Sequence, residues 1–249
     1  MPRLLLILII MTSFPLERPM AEDSKTAGSQ IVRETRELHG WTVHINRELL
    51  ETKPEATELA LRLLEKQLAE IERVVPDSAV AELRTVPLYF SPAYADSQGG
   101  AEFHPGAEWL KEHGRDPVMV KGVEFTNILT FEQETRRMPN FALHELAHAY
   151  HNLFLKEGFG NPQISEAFQS AKKSGKYDKV ERWHGVANQN TFERAYGMSN
   201  PMEYFAETSE AYFSRNDFFP FTRSQLKCHD PEMFELLTEL WGVQNLSEE

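Results

Sequence analysis

The sequence predicts an α+β fold, mostly helical, with a small mixed sheet beside one central buried helix. Three observations lead there. Apolar residues recur at helical spacing across residues 54–74, among many charges. Short β-branched or alternating runs, at 41–45, 86–90 and 122–128, break up the helical segments. A segment beginning near residue 140 is apolar on most of its circumference, as a helix buried on all sides must be.

Taken in order, WTVHI at 41–45 alternates and reads as a strand. Pro54 suits the first turn of the helix that follows, whose apolar positions are Leu59, Leu61, Leu63, Leu64, Leu68 and Ile71. A shorter helix at 77–83 leads into the second strand, 86–90. Residues 92–100 form a loop, broken by Gly99 and Gly100. His104 and His113 follow, reading as histidines at the surface or behind the site, and then the strand 122–128. Pro139 suits a first helical turn with Asn140 as a cap, and Gly158 and Gly160 stop that helix. A helix at 162–174 ends at Gly175. Residues 178–192, with Trp183 and His184, have no clear period and read as a loop that shapes specificity. Pro201 opens another helix. The aromatic run 216–221 reads as packing beneath it rather than as a pocket wall. Asp230 and Pro231 open a last helix, which Gly242 stops.

Length and composition set the organisation. The 249 residues suit one domain with an N-terminal extension. Arg3 followed by LLLILIIM reads as a secretory signal, since this apolar core is too short to span a bilayer. The expected division is a signal peptide at 1–21, a flexible lead-in at 22–40 and a single catalytic domain at 41–249, working outside the cell or in a periplasm. Cys228 is the one cysteine, so no intrachain disulfide exists. A net charge of −12 argues against nucleic acid and anionic membrane surfaces as partners.

The chemistry lies in His144-Glu145-Leu146-Ala147-His148. On a helix, residues four apart lie about 40° apart around the axis and about 6 Å along it. Two imidazoles so placed can share one ion, and zinc accepts nitrogen ligands at about 2.0–2.1 Å. Glu145 projects beside the pair, where it can take a proton from a water that the ion activates. A further protein ligand is required. His151 lies about 10.5 Å along the axis from His144, so an unbroken helix cannot bring it to the same ion. Downstream, Glu203 and Glu207 share one helix face, which Glu210 continues. Two acids on an otherwise apolar helix are costly to bury without a cation or hydrogen-bond donors. One of the two would bind the ion, and the other would accept the N–H of a ligand imidazole.

HELAH together with the later EYFAE resembles the gluzincin metallopeptidases, and within them the anthrax lethal factor type of catalytic domain. The resemblance implies a zincin-like fold binding one Zn²⁺ ion and acting on a peptide or protein. It implies Glu203 as the ligand carboxylate, with Glu207 behind it. It also implies Tyr196, seven residues before Glu203, as the donor to the oxyanion. A strand near the metal helix, here 122–128, would form the upper rim of the cleft. The other reading is a zinc-bearing protein that captures a peptide or cell-wall component without cutting it. Glu145 and Tyr196 argue against that, since a pure binder needs neither.

Overall fold

A computed structural model describes residues 31–95 and 99–244. The chain runs β1 (Arg33–Leu38), β2 (Trp41–Asn46), α1 (Arg47–Thr52), α2 (Pro54–Val74), α3 (Asp77–Leu83), β3 (Leu88–Phe90), β4 (Ala101–Phe103), α4 (Ala107–Glu112) and β5 (Val123–Phe125). It continues with α5 (Phe131–Arg137), α6 (Phe141–Leu153), α7 (Pro162–Ser174), β6 (Val180–Arg182), β7 (Thr191–Glu193), α8 (Pro201–Phe213), α9 (Arg223–His229) and α10 (Pro231–Leu240). The fold is mostly helical with a small mixed sheet, as its sequence predicts. No helix among the described residues is long and apolar enough to cross a membrane. The signal peptide expected over 1–21 lies outside the described residues.

The five-stranded sheet has the order β1-β2-β3-β5-β4. Its three central strands are parallel, and β1 and β4 flank them antiparallel. In β2 the alternation works as expected: Trp41, Val43 and Ile45 are wholly buried while Thr42 is exposed. Two edges depart from expectation. The lead-in assigned to 22–40 contains a strand, since Arg33–Leu38 pairs along the whole of β2. Its sequence, RETREL, carries charges along a sheet edge, where they block pairing with other chains and hide the strand from a hydrophobic pattern. At the other edge the free strand is β4, not the predicted 122–128, whose paired part is only Val123–Phe125 and lies inside the sheet. Three residues next to a glycine loop are too few to show a period.

Helix α2 buries Ala60, Leu61, Leu64, Leu68 and Ile71, and leaves Leu59, on its other side, partly exposed. That buried stripe supports the start of α6. Asn140 caps α6 by accepting the Leu143 N–H at 3.1 Å, and Pro139 precedes the cap rather than entering the first turn. Asn140 Nδ2 donates to the Gln67 carbonyl of α2 (3.0 Å), and Gln67 Oε1 accepts the Ala142 N–H (2.9 Å). Donors that every helix leaves open at its N-terminus are here closed by a neighbouring helix. The stretch Phe141–His151 is then buried residue by residue.

Helix α8 packs along α6. Trp241, just beyond α10, joins them. Its ring stacks on Tyr150 of α6 at 4.1 Å and on Phe205 of α8 at 5.8 Å. Its indole N–H donates to Ser209 Oγ at 3.1 Å. Residues 178–192, expected to be a loop, hold a two-stranded ribbon, β6–β7, anchored where Trp183 Nε1 donates to the Arg136 carbonyl. Trp241→Ala should cost about 3–5 kcal/mol of stability, seen as a lower urea midpoint at unchanged slope. A loss below about 1 kcal/mol would mean that the stack does not hold α6 to α8.

Candidate metal centre

Helix α6 presents His144 and His148 on one face, and α8 meets them with Glu203 in its first turn. Asn200 caps α8 by accepting the Glu203 N–H at 2.9 Å, with Pro201 at the first helical position. A carboxylate there is favoured by the helix dipole. The two Nε2 atoms are 3.2 Å apart, and Glu203 Oε2 lies 3.2 Å from that of His144 and 3.3 Å from that of His148. These three donor atoms form a nearly equilateral triangle. Bonds of about 2.0–2.1 Å at tetrahedral angles require ligand atoms about 3.3–3.4 Å apart. The triangle is therefore one face of a tetrahedral site, and a cleft of about 690 Å³ opens beside it.

Glu145 and Tyr196 line the same cleft. Burial pushes the Glu145 carboxyl up to about 8, while Glu145 Oε2 accepts the Phe103 N–H of β4 at 2.9 Å. Tyr196 is half-exposed on the turn Tyr196–Met198. Partial burial and the adjacent Glu203 carboxylate push its hydroxyl up to about 12, so it stays a donor. Gly197 lets this turn lie against α8, because a Cβ there would come within 3.3 Å of the Tyr204 Cα.

The family model described as anthrax toxin lethal factor, N- and C-terminal domain, matches residues 117–240, which contain all of these side chains. Residues 117–240 are a zincin-like metallopeptidase domain of the lethal factor type. The solved structure of the Pro-Pro endopeptidase PPEP-2 from Paenibacillus alvei is similar at 22% identity, over 74% of this chain and 90% of that one, with a TM-score of 0.43. No curated protein matches the chain.

In this lethal factor type site the charges are tightly paired. Burial opposes ionisation of Glu203, but hydrogen bonds from His144 and His148 outweigh it and hold the carboxyl far below its usual range. Burial lowers His144, yet Glu203 and Glu210 raise it well above an ordinary histidine. His148, more weakly paired, is lowered by burial.

One residue changes place relative to the sequence reading. The hydrogen bond expected of Glu207 is made by Glu210, whose Oε2 accepts from His144 Nδ1 at 2.9 Å. Glu207 is fully buried beside the pair, but its carboxylate accepts from Asn216 Nδ2 at 2.9 Å. The loop after α8 claims Glu207, so the acid three residues further on meets the imidazole. Glu210 continues the face of Glu203, and that continuation was the signal available in the sequence.

His151 is fully buried against Phe159 and Phe205, each at 5.1 Å, and burial pushes it down to about 4. It belongs to the packing, outside the ligand triangle. His104 turns away to Glu124, and His113 stacks on Trp109. The run 216–221 serves both readings: Asn216 packs under α8, while Asp217 and Phe218 line the cleft. Asp217 also holds Arg137 at 2.5 Å and Arg182 at 3.3 Å, a cluster with no sequence motif. Glu210→Gln should lower divalent-metal affinity about 10–100-fold, and more than Glu207→Gln, in a competition titration with a chelating dye. Equal losses would return Glu207 to the imidazole.

Proposed function

We propose that the protein is a secreted, zinc-dependent metallopeptidase of the gluzincin type, with Glu145 as its general base. The observation that carries this is the triangle of His144, His148 and Glu203 beside Glu145 and Tyr196 in one cleft. Secretion rests on the signal-like composition of residues 1–14. Zinc held by the three ligands supplies Lewis acidity and lowers the pKa of a bound water towards about 7.

The protein's own groups do the rest. Phe103 N–H fixes one oxygen of Glu145 and leaves the other to accept the proton of the attacking water. The carboxyl then returns that proton to the leaving amine. Tyr196 donates to the oxygen that gains charge. Glu210 keeps His144 in one tautomer, with Nε2 directed at the site.

The edge of β4 supports peptide binding. Gly100 and His104 turn their backbone groups to β5, through Thr126 N–H to Gly100 O and His104 N–H to Gly122 O. Alternation turns Ala101 and Phe103 outward, as the Phe103–Glu145 bond requires. An extended chain can pair there through the Ala101 backbone and the Phe103 carbonyl, the Phe103 N–H being held by Glu145.

Glu145→Gln should retain zinc and lose turnover about 10²–10⁴-fold against a peptide library. Cleavage at the parental rate would sink the mechanism. Tyr196→Phe should lower kcat about 10²–10³-fold with KM little changed. A KM effect alone would make Tyr196 a binding residue instead.

A further inference from the structure

The inference rests on the peptidase reading above and concerns the charged side of β4, where Glu102 borders the cleft. Glu102 and Glu124 stand directly opposite each other across β4 and β5. Alternation puts both, with His104, on the face opposite to Phe103 and Phe125. Carboxylates so opposed repel each other. Burial worsens the conflict, because Glu124 is only 1% exposed.

Arg115 resolves it. One of its nitrogens, Nη1, donates to Glu102 and lies 3.6 Å from Glu124. Its side chain is 10% exposed and lies over the rings of Tyr94 (4.5 Å) and Trp109 (4.6 Å). Glu124 also takes the Tyr94 hydroxyl at 2.7 Å and pairs with His104 Nε2 at 2.9 Å. His104 is further held by its backbone, which donates to Gly122 and accepts from Lys121. Phe103 thus sits between two anchored neighbours, and its N–H reaches through to Glu145.

We propose that Arg115 is a positioning residue for the reaction: by bridging Glu102 and Glu124 it holds β4 where the Phe103 N–H aims the Glu145 carboxylate. Arg115 touches neither the metal ligands nor the cleft. It acts through one strand and one backbone hydrogen bond. Two carboxylates share the Arg115 guanidinium, so the strand is held by charge pairing as well as by its three residues of ladder.

The test is Arg115→Met in the full chain, zinc-loaded, against the parent. Amide exchange by NMR should show Phe103 exchanging at least about tenfold faster, with Val43 and Leu88 at the sheet centre unchanged. Zinc content should hold. On a peptide substrate kcat should fall about 10–100-fold, more than KM changes, as expected for a misaimed base. Adding Glu102→Gln to Arg115→Met removes one of the opposed charges, and should return Phe103 protection and most of kcat. Arg115→Lys, which keeps a charge but spans one carboxylate only, gives the same pattern at smaller size if the methionine variant does not fold. An active parent whose Arg115 variants keep Phe103 protected overturns the positioning role alone. So does a loss confined to KM, or a double variant that recovers nothing. A parent that cleaves nothing overturns the peptidase reading and the positioning role with it.

Discussion

Everything about the centre depends on how His144 is held. Its imidazole is buried between two carboxylates of one helix, Glu203 at Nε2 and Glu210 at Nδ1. A charged or half-charged group at that depth is tolerated only when each nitrogen has a partner. The two acids stand seven positions apart on α8, so the helices must lie alongside each other for both to reach. The contact of α6 with α8 is therefore a chemical requirement as much as a packing one. Trp241 serves it from outside, by stacking on both helices at once.

The same constraint explains the scale of burial around the site. Glu145, Glu207 and Glu210 are all pushed up by burial, to about 8, 8 and 7. Acids this reluctant to ionise respond strongly to a nearby cation, because each is balanced close to neutral pH. A dication in the triangle would pull them towards the charged form together.

Much of this is legible in the amino-acid sequence itself. Pro and Asn placed the starts of α6 and α8, and HELAH with EYFAE named His144, Glu145, His148 and Glu203 as a group. Long periodic elements such as α2 and α7 end where their sequence patterns end. What escaped depends on contacts distant in sequence. Glu207 and Glu210 share a face, and only Asn216, from a loop beyond the helix, decides which of them is free for His144. Strand β4 is three residues long, and only its partner β5 makes it a strand. Strand β1 hides behind charges whose purpose is to keep its outer edge unpaired.

Gln67 carries a consequence for how the domain is bounded. The metal helix begins on a side chain of α2, which satisfies the Ala142 N–H while the Gln67 carbonyl takes Asn140. The family match begins only at residue 117, some fifty residues after Gln67. The matched segment therefore does not contain its own foundation. Cut at that boundary, α6 would open with bare donors in an apolar interior, and HELAH would lose its fixed direction before it lost any ligand. In this chain, the unit that inherits the chemistry is smaller than the unit that can fold around it.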